Sequence, residues 1–429
     1  MSLSLFDLAA VFLGLGAAIG WLNLKTFSLP PAVAMLVVGL VATLTLVGID
    51  RLVPGLGVGK VMADVVRQVD FSAAVLRFML AYLLFAGAMH VDVDALARRG
   101  WIAAVLATAG VVVSAAVIGG GFWLAARLIG LPLSLAWALV FGVLISPTDP
   151  VGVLAALKRS SLKPDIRALI EGEALFNDGV GVVLFGAATV LVQGHADAGG
   201  AAAATAWLGV QVLASAGGGA ALGFVLGHIA IRAMRAIDDF GVEVGITLAL
   251  ATGVYALAQA LGVSGPIAVV VAGLLLGHRE AREAMSEQTW RYTRAFWSVI
   301  DENLNGILFL LVGLEVFTLH FDHPVDLLAA AAIPLILIGR WASMAGPALL
   351  LGAIDRSIKP GLIGVLTWAG VRGGLSVAMA LSLPPSRERS VILAATYVAV
   401  IFSIIVQGLT LEAVILRLGY GRSGVEDAP

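Results

Sequence analysis

Thirteen apolar runs, nearly all long enough to cross a bilayer, follow one another along this chain with only short polar connections between them. Their approximate limits are 4–24, 29–50, 71–91, 101–129, 134–157, 167–193, 203–234, 241–262, 265–279, 296–319, 325–351, 360–383 and 390–417. A crossing helix needs about 20 residues, and the run at 265–279 is short of that. In lipid every backbone N–H and C=O must be satisfied internally, so such runs fold as helices or as a closed barrel. A barrel would read as short alternating segments. The 51 glycines and the abundant alanine suit helices that pack closely without a hydrophobic drive between them. The expected fold is an all-α polytopic membrane protein of about 13 transmembrane helices.

Composition agrees. Charged residues are 13% of the chain, against about 25% in soluble proteins. The net charge of −2 suggests no nucleic-acid partner. With no cysteine, disulfides and thiolate metal sites are excluded. The six histidines form no metal-spaced pair. The N-terminus lacks the basic segment of a signal peptide, so the first run is read as a retained helix. Lys and Arg in the connections divide seventeen to six between the two sides, which places the C-terminus in the cytoplasm and the N-terminus outside. Residues 279–295 read as a cytoplasmic surface helix and 418–429 as a short cytoplasmic tail.

Polar groups inside the runs carry the functional signal. In Ser146-Pro-Thr-Asp-Pro150 each proline lacks an N–H and clashes with the carbonyl four residues back. The carbonyls of Val143 and Ser146 should be freed, and Ser146 and Asp149 pushed out of helical conformation. The unwound stretch then exposes Thr148 and Asp149, which is tolerated only where it is buried in protein or lines a cavity.

The sixth run contains Glu173-Ala-Leu-Phe-Asn177-Asp178. Glu173 and Asn177 share a helix face, and Asp178 lies about 140° around from Glu173. Glu173 has two readings, an ion pair that ties helices together or a member of a binding site. Asp178 has no evident cation nearby in sequence, which favours a functional role. The twelfth run holds Arg372 between glycines, and a lone arginine at that depth needs an anionic partner. Counted from the cytoplasmic ends, Asp149, Asp178 and Arg372 lie about 12, 17 and 18 Å in, so the three should converge near mid-membrane. Asp301, Glu302, Asn303 and Asn305 are read as a solvated cytoplasmic opening, and Arg340 as snorkelling or pairing at a span end.

Runs 1–6 and 8–13 form two possible inverted repeats around run 7. Interruptions at the fifth run of each point to the binding site of a secondary transporter. A passive channel would instead need symmetric rings of ligands, and an intramembrane aspartyl protease an acid dyad sharing a proton. Arg372 and the paired prolines fit neither well.

The segments Ser146-Pro-Thr-Asp-Pro-Val-Gly-Val, Gly172-Glu-Ala-Leu-Phe-Asn-Asp-Gly-Val, Ala272-Gly-Leu-Leu-Leu-Gly and Trp368-Ala-Gly-Val-Arg-Gly-Gly-Leu-Ser resemble those of the NhaP/NHE branch of sodium/proton antiporters, in the same order along the whole chain. The resemblance implies crossed, unwound helices and Na+/H+ exchange that is electroneutral, with Li+ or K+ as alternative cations and K+/H+ exchange as the alternative activity. It implies no enzymatic activity and no cofactor beyond the transported Na+ and H+. The partners would be the cation, the proton, the bilayer of a bacterial inner membrane and a second copy of the chain. The moving core would be about 71–193 and 296–383. The dimerisation domain would be about 1–50 and 203–279, with 203–234 as a linker helix. By motif position, Asp178, Glu173 and Thr148 would bind the cation, supported by Asn177, Asp149 and Arg372, with Glu173 pairing to Arg372. Two departures bear on selectivity: Ala174 stands where the family has serine, and Pro147 replaces a small residue.

Overall fold

The computed structural model describes residues 5–52, 74–97, 100–149, 164–192, 201–316, 323–352 and 360–419. The charged stretches 98–99, 150–163 and 353–359 and the tail from 420 lie outside it. All regular elements among the described residues are helical. They are α1 (Leu5–Thr26), α2 (Pro31–Leu52), a π-helical turn (Ala74–Met79) leading into α3 (Leu80–His90), α4 (Val93–Ala97), α5 (Gly100–Ile129), α6 (Leu135–Ile145) and α7 (Pro164–Val192). Then come α8 (Ala201–Met234), α9 (Phe240–Ala260), α10 (Gly265–Gly277), α11 (Arg279–Ala284), α12 (Glu287–Glu315) and α13 (His323–Gly352). The chain closes with α14 (Pro360–Trp368), α15 (Gly374–Ser382), α16 (Arg387–Phe402), a second π-helix (Ser403–Gln407) and α17 (Gly408–Arg417).

Each apolar run of the sequence contains helix, and among the described residues eight helices are long and apolar enough to cross a membrane. The charged stretch 279–295 divides between the short α11 and an early start of α12 at Glu287. Local chemistry sets many starts: Ser134, Asp239, Ser264, Ser286 and Ser386 each accept a hydrogen bond from a backbone N–H of the first turn.

The helices pack as two bundles. In one, α5 lies against α6, α7 and α13, while α16 packs on α13 and α15. In the other, α2 packs on α12, and α10 on α3, α8 and α9. Small residues permit this. A Cβ on Gly39 of α2 would come 2.8 Å from the Leu310 carbonyl oxygen and 3.0 Å from the Cα of Gly313 on α12, so any larger residue would push these helices apart. The sequence reading placed 71–91 and 296–319 in the moving core. In the structure α3 and α12 pack most extensively on α10 and α2, within the second bundle.

Candidate cation site between two broken helices

Helix α6 has 11 residues, about 16 Å of rise against a hydrocarbon thickness of about 30 Å. It stops inside the run, and Pro147 to Asp149 are non-helical; Ser146 keeps helical dihedrals (φ −74°, ψ −35°) and is not pushed out of the helical region as expected. The freed carbonyls are reused. Val143 accepts from the Ser146 N–H at 3.3 Å, so it does not stay open as expected. Ser146 and Pro147 both present their carbonyls to Nη1 of Arg372, the Pro147 contact at 3.0 Å.

The second break separates α14 from α15 across Ala369–Gly373. Here the two breaks meet: the Asp149 N–H donates to the Val371 carbonyl at 2.7 Å. Gly373 lies against the Asp149 side chain so closely that a Cβ there would stand 2.7 Å from the Asp149 Cβ.

Helix α7 supplies the polar face opposite. Asn177, fully buried, acts in three directions. Its Nδ2 donates to Thr148 Oγ1 at 2.7 Å and to Glu173 Oε1 at 3.0 Å, and its Oδ1 accepts from the Thr148 N–H at 3.2 Å. Asn177 thus substitutes for the helical partners that the first break has lost.

The cation of Glu173 is Arg340 on α13, not Arg372. Arg340 Nη1 and Nη2 grip the two oxygens of Glu173 at 2.7 and 2.9 Å, and both residues are buried. Arg340 Nε also donates to the Leu366 carbonyl at 3.2 Å, steadying the end of α14. Of the two readings of Glu173, the helix-tying ion pair is the one present. Arg340 occupies the middle of α13, so its expected place at a span end is corrected as well.

Asp178 stands apart. Among the described residues it has no hydrogen-bond partner, and it lines a cavity of about 80 Å³, room for an ion and a few waters. Pro147, Asp149, Gly373 and Ser376 line the cavity from the first bundle; Leu84, Asp301 and Asn305 line it from the second. Asn305 Nδ2 donates to Asp301 Oδ1 at 3.0 Å. Asp301 and Asn305, read from sequence as a solvated opening, therefore share one cavity with Asp178. Ala174 is buried and supplies no oxygen.

Two broken helices that meet beside a carboxylate in a cavity between two bundles form the architecture of a secondary transporter. The chain belongs to the sodium/hydrogen exchanger transmembrane family, whose pattern matches residues 14–417. It is 42% identical over 428 residues to the Na(+)/H(+) antiporter NhaP of Pseudomonas aeruginosa, covering 97% of this chain and 98% of that protein. The Na(+)/H(+) antiporter NhaH of Halobacillus aidingensis is 33% identical over 404 residues, covering 92% of this chain and 93% of the relative. The sodium proton antiporter MjNhaP1 of Methanocaldococcus jannaschii shares the fold, with a TM-score of 0.72 at 19% identity over 96% of this chain and 97% of the other.

Proposed function

We propose that this protein exchanges Na+ for H+ without net charge movement, with Asp178 as the carboxylate that both ligands share. The observation that carries this reading is the contrast between the two acids of α7. Both oxygens of Glu173 are engaged by Arg340, whereas Asp178 faces the cavity without a hydrogen-bond partner among the described residues. Glu173 then positions the site rather than binding the ion. Thr148 and Asp149 offer oxygens from the first break, and Asn177 and Arg372 hold that break open.

Charge supports exchange. Around the breaks and the cavity four acids (Asp149, Glu173, Asp178, Asp301) face two arginines (Arg340, Arg372), so the site is net negative when empty. One Na+ or one proton on Asp178 removes the same single charge, so the two loaded states carry equal charge and one-for-one exchange is electroneutral. The empty site keeps the excess charge, which costs about 2.5–3.5 kcal/mol at mid-membrane on insertion scales, and this disfavours its return unloaded. Na+ is the preferred substrate, because the relatives are named for it.

The packing favours a moving bundle of α5–α7 and α13–α17 that slides past a bundle of α1–α3 and α8–α12, with the cavity at the seam. We assign the second bundle to dimerisation, the N-terminus to the outside and the C-terminus to the cytoplasm of a bacterial inner membrane. Single cysteines placed in this cysteine-free chain would report that orientation by labelling from one side.

The test is Na+-driven proton movement in proteoliposomes. Wild type should move protons without generating a membrane potential, and Asp178→Asn should show none. Normal exchange by Asp178→Asn would sink the assignment.

A further inference from the structure

The break in the α14–α15 span removes helical partners from Trp368 to Arg372, and their replacements come from an unexpected place. The Thr367 carbonyl accepts from the Gly370 N–H at 3.2 Å, the Ala369 carbonyl from the Val371 N–H at 2.8 Å, and the Val371 carbonyl from the Asp149 N–H. The Trp368 carbonyl and the Arg372 N–H are among the groups still to be satisfied. Both are taken by one short segment of the last span. Gln407 Nε2 donates to the Trp368 carbonyl at 3.1 Å. Ser403 Oγ accepts from the Arg372 N–H at 2.8 Å. The Ser403 hydroxyl in turn donates to Gln407 Oε1, which closes the loop.

Both side chains are buried, at 1% exposure each, so no water competes with them. They are the first and last residues of the π-helix between α16 and α17. Such single-turn π segments are uncommon and often mark functional sites. Trp368 Nε1 also donates to Thr410 Oγ1 at 2.9 Å, one turn further along the same span.

We propose that Ser403 and Gln407 are positioning residues of the cation site: the π-helix clamps the second break from behind and so fixes where Arg372 holds the Ser146 and Pro147 carbonyls. The clamp acts on the peptide N–H of Arg372, while its guanidinium reaches across to the first break. A change at Ser403 is therefore felt at Thr148 and Asp149 through one residue. Because the clamp sets the spacing of the two breaks, it sets the size of the space around the ion, and with it the preference among alkali cations.

This inference rests on the antiporter reading, and the experiment separates the two. Exchange with Na+ and with Li+ is measured in proteoliposomes for wild type, Ser403→Ala, Ser403→Thr and Gln407→Met, per folded protein. Ser403→Ala and Gln407→Met should raise the apparent KM for Na+ about threefold to tenfold, the factor equivalent to one lost neutral hydrogen bond. They should also shift the ratio of the Li+ and Na+ KM values. Ser403→Thr keeps the hydroxyl and should restore both quantities. A merely structural role would lower total flux and leave KM and the ion ratio alone, and that outcome overturns the proposal. Where Ser403→Ala does not fold, Gln407→Met and Ser403→Thr decide it alone. Absence of Na+-dependent exchange by wild type would instead overturn the functional reading, and this inference with it.

Discussion

The two helix breaks are built differently. The break at Ser146–Asp149 is forced by proline, brings the Asp149 carboxylate to the cavity, and is held by Asn177 on Thr148 and by Arg372 on the Ser146 and Pro147 carbonyls. The break at Ala369–Gly373 is rich in glycine, contributes one cation, and is held by neutral groups of the last span. Proline removes hydrogen bonds whatever surrounds it. Glycine only weakens a helix by roughly 1 kcal/mol, so the second break depends on its neighbours to stay open. The first break is set by its own sequence; the second is a scaffold whose shape is imposed.

That contrast predicts a ranking. The largest effect should come from Gly373→Ala, where the two breaks touch. The new Cβ meets the backbone-anchored Asp149 side chain, so exchange should fall to background while Gly20→Ala, which meets nothing nearby, remains active. Equal activity of the two variants would break the account of how the breaks fit.

Next is Arg340→Ala, which leaves Glu173 buried without its cation. The expected loss is about 3–5 kcal/mol of stability, read as a lower unfolding temperature in detergent. The double variant Glu173→Gln/Arg340→Gln removes both charges and should recover most of that loss. Failure of the double variant to recover would mean that the pair does more than tie α7 to α13.

A smaller effect is expected from Pro147→Ala. Pro150 still lacks a backbone N–H, and Asn177 and Arg372 still hold the segment, so the break should persist with exchange reduced only a few-fold. Complete loss would show that Pro147 alone maintains it.

Much of this was legible in the chain. The long apolar runs gave the helices because the bilayer leaves few alternatives, and the Pro and Gly clusters marked both breaks at their observed residues. Asp178 was readable as an acid with no cation nearby in sequence, and Asn177 as sharing a helix face with Glu173, to which it donates. The partner of Glu173 was not. It lies 167 residues away, and pairing across helices depends on rotation about each axis, which apolar runs leave undetermined. The position of Arg340 deep within its run was the signal available, and reading it as a span end discarded that signal. Ser403 and Gln407 had a faint one as well, two polar residues four apart in an otherwise apolar span. Their role follows only from the other helix that they face.

The central claim is that Na+ and H+ compete for Asp178, and the pH dependence of the apparent KM for Na+ tests it most directly. Raising the proton concentration protonates the shared carboxylate and displaces Na+. The account therefore predicts that KM for Na+ rises as pH falls while the rate at saturating Na+ changes far less. A KM that stays constant across pH while the maximal rate falls would contradict a shared carboxylate and place the proton on a different group.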